Sequence, residues 1–346
     1  MTSARSITRV LANKYSPSGA PSLDNFKVMS APAPTKDSLK ENQVLVRSLY
    51  LSVDPYQRGR LIGTTNSYVP RYELNKPISN HGVAVVEASA SADVAEGDIV
   101  YIRGAPWETK SVVDVAAVRK LPTGTIDNAR DFVTVFGMPS FTAFVGLTTI
   151  GKPKAGETIL VSSASGAVGQ IVVQLAKARG LRVVGVAGSE DKIELVKSIG
   201  ADTAFNYKTS DNFVASIKQA APEGIDIYFD NVGGEFLDAA LANINTGARI
   251  VSCGMISQYN AKSADEAYGL KNTFNILTKT ATFQGILVGK YYGTPTEDEF
   301  MAEVGKLYKE GKLQYRIDET TGLENAPQAI LNLFDGKNFG KSVVKV

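Results

Sequence analysis

The sequence predicts an α/β protein in which a doubly wound parallel sheet is joined to a β-rich domain. The first observation is the stretch Val161-Ser162-Ser163-Ala164-Ser165-Gly166-Ala167-Val168-Gly169. It follows the apolar run 158–161 and opens an apolar-periodic segment over 170–178, which reads as strand, glycine turn and helix start. The second is alternation. Apolar runs at 159–162, 182–187, 225–230, 248–253 and 282–287 are separated by helical patterns, as in parallel βαβ units. The third is contrast with the first 120 or so residues, which read as strands and turns. A chain of 346 residues is also long for one core.

In chain order, Ile7, Val10 and Leu11 read as a first strand ending near the turn Ser16-Pro17-Ser18-Gly19. The same stretch (Arg5, Arg9, Lys14, no acid before Asp24) faintly resembles a transit peptide in composition, but the strand reading is preferred. Residues 43–51 and 82–89 are rich in Val and Leu and predict strands, and Gly97-Asp98-Ile99-Val100-Tyr101 predicts a turn feeding another. From Asn128 the βα alternation begins. After Gln314 come a short helix over 325–334 and a strand over 341–346, expected to rejoin the β-rich domain because its edges offer partners. The expected domains are therefore 1–127 with 314–346, and 128–313.

Composition excludes several classes. There are 37 basic and 35 acidic residues, a net charge of +2, with no basic run, so neither nucleic acid nor a membrane surface is expected as partner. No apolar run approaches the roughly 20 residues of a membrane helix. One cysteine, Cys253, forms no intrachain disulfide and fits a reducing, cytoplasmic compartment. One histidine, His81, and one cysteine are too few for a structural or catalytic zinc site, so no metal is expected. His81 is expected to be structural, Asp54 and Arg58 to form a local pair, and Cys253 to be a packing thiol.

The glycine turn places backbone N–H groups and a helix N-terminus at a pyrophosphate, with Ala164 where the usual pattern begins with glycine. Just past the second strand, Gly188-Ser189 carries no carboxylate for a ribose 2′-hydroxyl, and Lys192 lies one helical turn on. A missing acid beside a cation suits a 2′-phosphate, hence NADPH, provided that Glu190 and Asp191 point to solvent. Asp230-Asn231-Val232-Gly233-Gly234 and Ser252-Cys253-Gly254-Met255-Ile256-Ser257 end two further strands in polar residues and glycine, where backbone can approach a cofactor.

Several longer motifs resemble those of the zinc-independent medium-chain dehydrogenase/reductases, in the alkenal/one double-bond reductase and prostaglandin reductase branch. They are Leu51-Ser52-Val53-Asp54-Pro55-Tyr56-Gln57-Arg58, Gly137-Met138-Pro139-Ser140-Phe141-Thr142-Ala143-Phe144, the run 229–234, Cys253-Gly254-Met255-Ile256-Ser257-Gln258-Tyr259-Asn260, the run 283–288 and Asn338-Phe339-Gly340-Lys341. The resemblance covers nearly the whole chain. It implies a GroES-like β domain joined to a Rossmann domain, usually in a homodimer, and NADPH-dependent reduction of the C=C bond of α,β-unsaturated aldehydes and ketones. By position it puts Gly166, Ala167, Val168 and Gly169 at the pyrophosphate, and Lys192 and Tyr207 beside Gly188 at the 2′-phosphate. Asn231, Cys253, Gly254, Met255 and Ser257 flank the ribose and nicotinamide, with Phe283, Leu287 and Asn338 also at the cofactor. Tyr56 and Tyr259 stand where the substrate carbonyl is expected. Ser140 and Phe144 depart from the branch's usual glycine and tyrosine, and both are expected beside the cleft.

Such a reduction delivers hydride to the β-carbon and gathers charge on the carbonyl oxygen, which needs a donor already in place. Tyrosine supplies one, and the ribose 2′-hydroxyl shares that role by resemblance. Tyr56, Tyr259 and water all fit as source of the α-carbon proton. The rival readings are a quinone oxidoreductase of the same superfamily and a non-enzymatic NADPH-gated binding protein. The tyrosines Tyr68, Tyr72, Tyr259 and Tyr268, around loops 66–74 and 260–275, are expected to line a pocket or to cover a dimer surface.

Overall fold

The computed structural model describes residues 6–122 and 125–346, with side chains described for all of these except 125–127. Arg5 lies outside the described residues. In chain order the strands are β1 (Ser6–Ala12), β2 (Phe26–Pro32), β3 (Gln43–Ser52), β4 (Ser79–Ser89), β5 (Ile99–Pro106), β6 (Lys110–Asp114), β7 (Val118–Lys120), β8 (Thr158–Val161), β9 (Arg182–Ala187), β10 (Thr203–Asn206), β11 (Ile225–Asp230), β12 (Ile244–Ser252), β13 (Thr282–Gly285), β14 (Ile317–Thr321) and β15 (Lys341–Lys345). The helices are α1 (Gln57–Leu61), α2 (Met138–Val145), α3 (Gly169–Ala178), α4 (Glu190–Ser198), α5 (Phe213–Ala220), α6 (Gly234–Leu241), α7 (Phe274–Thr278), α8 (Pro295–Lys309) and α9 (Ala326–Phe334).

Two compact units result: residues 1–137 with 317–346, and residues 138–316. Both boundaries differ from those expected at 128 and 314, for physical reasons. The helical stretch Thr125–Val133 belongs to the first unit because Ala129, Phe132 and Val133 bury against Val83, Tyr101 and Val343. At the other end, Gln170 and Gln174 on α3 clamp the following backbone. Gln174 Oε1 accepts from Gln314 N at 2.7 Å, and Gln170 Oε1 accepts from Arg316 N at 2.8 Å. Residues 314–316 therefore stay with the second unit.

In the first unit, β14-β15-β3-β4-β5-β7 form one sheet with β6 on β3, and β1 and β2 form a separate antiparallel pair. The C-terminal strand does rejoin this unit: β15 pairs antiparallel with β3, Val344 opposite Leu51. Val46, Leu51, Ile102, Trp107, Ile330 and Val344 are among its buried core residues. In the second unit the sheet is parallel, in the order β10-β9-β8-β11-β12-β13. Its central strand β8 is buried along its whole length, so it reads as an unbroken apolar run rather than an alternating one. Strand order reverses between β8 and β11, and in such sheets ligands bind outside the carboxyl ends of the strands at that point.

Candidate cofactor and catalytic site

In the second unit, β8 runs into a tight turn and then α3. Ser163 takes a left-handed φ of 50°, and Ala164 donates its N–H to Val186 on β9 at 2.9 Å. A Cβ on Gly169 would stand 2.2 Å from Ser163 O and 2.7 Å from Ala164 Cα. Only glycine lets the helix start this close to the strand end. Gly166 N–H donates to Ser163 O at 2.9 Å, and Gln170, Ile171 and Val172 donate to the carbonyls of Gly166 and Val168, which leaves the N–H groups of Ala167, Val168 and Gly169 without a backbone acceptor among the described residues.

At the end of β9, a Cβ on Gly188 would sit 2.8 Å from the ring of Tyr207, so that ring lies across the glycine. Tyr207 is 41% exposed. Glu190, which had to point away for a 2′-phosphate to fit, accepts from Asn206 Nδ2 at 3.0 Å, and Asp191 is exposed. Lys192 is half-buried in the first turn of α4.

At the strand-order reversal, Asn231 closes β11 onto β8. Its N–H donates to Ser162 Oγ at 3.0 Å and its Nδ2 to Ser162 O at 2.7 Å. Asp230, fully buried, supports this turn. Its Oδ1 accepts from Tyr228 Oη (2.7 Å), Val232 N (3.0 Å) and Gly233 N (2.8 Å), while Oδ2 has no partner among the described residues. Burial pushes the Asp230 carboxyl above its ordinary pKa despite these donors. The Asp230 carbonyl in turn accepts from Cys253 N and Gly254 N at 2.8 and 3.0 Å, which brings the loop after β12 alongside. Burial, then the charge of Asp230, pushes the Cys253 thiol up to about 12, so it is an inert packing thiol at neutral pH.

That loop carries Tyr259. Its hydroxyl accepts from Met255 N at 3.2 Å, and Gly254 has no side chain to crowd it: a Cβ there would lie 3.3 Å from the hydroxyl. Ser257 donates from Oγ to Val232 O at 2.7 Å, tying the loop to the Asn231 turn. Burial raises the Tyr259 pKa, so the phenol is protonated at neutral pH. With one lone pair committed to Met255, its O–H has no acceptor among the described residues.

Tyr56 in the first unit is arranged oppositely. Its hydroxyl donates to Asn80 Oδ1 at 2.7 Å. Asn80, 1% exposed, sits on a buried network in which Lys341 Nζ donates to Asp54 Oδ1 at 3.0 Å and to Val53 O at 2.8 Å. Asp54 thus pairs with Lys341, which corrects the local Asp54–Arg58 pair expected from sequence. Arg58 instead donates to the carbonyls of Ser16 (2.8 Å) and Gly19 (2.7 Å), its long side chain reaching the loop after β1. Lys341 and Ser52 hold Asp54 ionised against burial, with its pKa lowered. His81 stacks on Tyr101 with ring centroids 5.7 Å apart, its Nδ1 2.7 Å from the Tyr101 hydroxyl, and burial pulls its pKa down to about 4.

Burial corrects the expectations for Ser140, Phe144 and Tyr72. Ser140 and Phe144 do not line a cleft. α2 is buried on nearly every side, and Phe144 packs on Phe300 at 5.8 Å beneath the guanidinium of Arg179. Tyr72 belongs to the first unit's core at 2% exposure and is no pocket wall, and Tyr268 turns its hydroxyl to Asp238 at 3.1 Å. Phe283 lies in the edge strand β13 and Leu287 just beyond it, both exposed. Asn338 donates from Nδ2 to Gly340 O at 2.9 Å within its own turn.

Residues 167–308 match a family model described as zinc-binding dehydrogenase, and 9–121 match one described as N-terminal domain of oxidoreductase. The chain is 41% identical over 337 residues to a 2-alkenal reductase (NADP(+)-dependent) of Nicotiana tabacum, spanning 95% of this chain and 94% of the relative. It is 40% identical over 344 residues to the NADPH-dependent curcumin reductase of Escherichia coli, spanning 97% and 96%. CurA of Vibrio vulnificus in complex with NADPH superposes with a TM-score of 0.90 at 36% identity, over 98% of this chain and 99% of that one. The chain belongs to the medium-chain dehydrogenase/reductase family, in its alkenal and enone reductase branch. It is an enzyme of that branch, built on a Rossmann unit and a β-rich unit.

For this reductase, sequence reasoning missed Asn80, Lys341, Ser162, Tyr228 and Asp230 as supports. Lys341 carried one readable sign, a lone cation opening the otherwise uncharged run Ser342-Val343-Val344. Asp230 opens the polar, glycine-bearing turn already singled out, and its side-chain partners Tyr228, Val232 and Gly233 are local, whereas Asn80 carried no sign because its partners lie more than twenty residues off in sequence.

Proposed function

We propose that this reductase uses NADPH to saturate the C=C bond of α,β-unsaturated aldehydes and ketones. The observation that carries the reading is the Tyr259 hydroxyl, which accepts from Met255 N–H and has no acceptor for its own proton among the described residues, on the loop tied to the Asn231 turn.

The residues present fit the cofactor. Gly169 allows the close helix–strand approach of a pyrophosphate site, and Gly166, Ala167 and Val168 precede the helix with it. Gly188, Tyr207 and Lys192 suit the adenosine ribose with its 2′-phosphate, the nearest acid being drawn off to Asn206. Asn231, Cys253, Gly254, Met255 and Ser257 are assigned to the nicotinamide end, with Phe283, Leu287 and Asn338 retained as further contacts. When bound, NADPH supplies the hydride. Tyr259 then donates a hydrogen bond to the carbonyl oxygen as negative charge gathers there, a donation that strengthens toward the transition state. Tyr56 is assigned to substrate contact. The enzyme is proposed to work as a homodimer in the cytoplasm.

The test is NADPH consumption, with NADH in parallel, against a straight-chain 2-alkenal, an aryl enone and a quinone, with products identified by mass. A saturated carbonyl product with NADPH preference supports the reading. Turnover of quinone alone moves the chain to the oxidoreductase alternative, and binding without turnover to the regulatory one. Lys192→Ala is expected to weaken NADPH by roughly tenfold or more and NADH little, because a charged hydrogen bond to phosphate is lost.

A further inference from the structure

The buried network beneath Tyr56 has a polarity that cannot be reversed. Three of its members are backbone groups, which donate or accept but never exchange roles. Asp54 N–H donates to Gln57 Oε1 at 2.9 Å, so Gln57 turns its Nε2 to Tyr72 Oη at 3.0 Å. Tyr72 then donates to the carbonyl of Ser79 at 3.0 Å. Asn80 Nδ2 stands among three oxygens: Ser52 O at 2.8 Å, Asp54 Oδ2 at 2.9 Å and Gln57 Oε1 at 2.9 Å. A flipped Asn80 amide would set its own oxygen against all three. Asn80 Oδ1 therefore faces Tyr56, and an amide oxygen can only accept. The Tyr56 proton is committed inward.

From this we infer that Asn80 is a positioning residue that fixes Tyr56 as a hydrogen-bond acceptor toward the substrate. Tyr56 then does not share the carbonyl oxygen with Tyr259. It recognises a donor on the substrate, a hydroxyl group carried elsewhere on the unsaturated ketone or aldehyde. Turning the Tyr56 proton outward would strand Asn80 Oδ1, 1% exposed in its residue, without a partner, at about tenfold or more in equilibrium. The Lys341–Asp54 pair holds Asn80 from behind, so the polarity is anchored by an ion pair as well as by backbone. This inference rests on the substrate contact proposed for Tyr56.

The test uses the NADPH-loaded enzyme and saturated ketones, which bind without C=C reduction. Each ketone carries a hydroxyl at increasing distance from the carbonyl and is paired with its methyl ether, and dissociation constants are read by calorimetry. At least one alcohol is expected to bind about three- to tenfold tighter than its ether in the wild type. Tyr56→Phe is expected to bring that alcohol to the ether's affinity while the ether is little changed. Asn80→Leu, with the Tyr56 phenol retained but its proton released, is expected to erase the preference, which a merely structural role would not do. Tyr56→Phe keeps the test open should Asn80→Leu unfold. No preference anywhere in the series, or equal weakening of alcohol and ether by Tyr56→Phe, overturns the inference. Turnover of the wild type with a 2-alkenal is measured separately. Turnover without preference overturns the inference alone, and preference without turnover supports the inference while overturning the proposed reaction.

Discussion

Two tyrosines of this reductase differ in what their surroundings leave them to do. Tyr259 receives Met255 N–H and has a proton to give, whereas Tyr56 has given its proton to Asn80. Tyr259→Phe is accordingly expected to lower kcat on an enone by about a hundredfold, the usual loss on removing a preorganised oxyanion donor, with NADPH affinity near normal. Steady-state kinetics beside a fluorescence titration of NADPH checks both halves, and an unchanged kcat removes Tyr259 from the chemistry. His81 gives a second expectation, in stability. Its folded pKa of about 4 lies below the ordinary 6.5, so between these values the unfolded chain binds the extra proton. Stability from this group is present above pH 6.5 and is lost as pH falls toward 4, amounting to about 2 kcal/mol at pH 5. Urea unfolding of wild type and His81→Gln at pH 7.5 and pH 5 should show the wild type losing that much more; a gap independent of pH would mean that His81 titrates alike in both states.

Among elements, the turn between β8 and α3 carries the most constraint. Gly169→Ala would drive a methyl into Ser163 O and Ala164 Cα, both backbone, which cannot swing aside. A loss of about 1–3 kcal/mol in stability with weaker NADPH binding is expected. Gly305 in α8 has nothing within reach of an added Cβ, so Gly305→Ala should be neutral or stabilising. Equal effects from the two substitutions would show that close packing is not what Gly169 provides. The same turn was legible in sequence because its signals are local: an apolar run, glycines at fixed offsets, then helical periodicity. β9 and β11 were legible in the same way, their spans matching residue for residue. β10 was not, since its four residues Thr203-Ala204-Phe205-Asn206 are too short and too polar at the ends to stand out, and the strand exists by pairing with β9. The network of Asp54, Asn80 and Lys341 was illegible for a related reason: a polar residue's partner across a sheet is set by register, which no short window of sequence contains.

For the whole molecule, the parallel sheet leaves a question of closure at β13. It is an edge strand whose four residues are all exposed, and α7 beside it in sequence shows Phe274 at 69% and Leu277 at 72% exposure. Edge strands with unpaired backbone groups are usually blunted by charge, proline or cover, and the stretch Thr282-Phe283-Gln284-Gly285 has neither charge nor proline. A second copy presenting the same strand and helix would cover both, since a two-fold interface pairs a patch with itself. Light scattering after size exclusion is therefore expected to give twice the chain mass. Leu277→Glu, which puts a charge into that patch without touching the core of the unit, is expected to shift the protein to monomer while NADPH binding persists, because the glycine turn and the Asn231 and Tyr259 loops are built within a single chain. A wild type that runs as monomer would remove the homodimer. A Leu277→Glu variant that stays dimeric would place the interface elsewhere on the molecule and leave α7 to be covered by something other than its own copy.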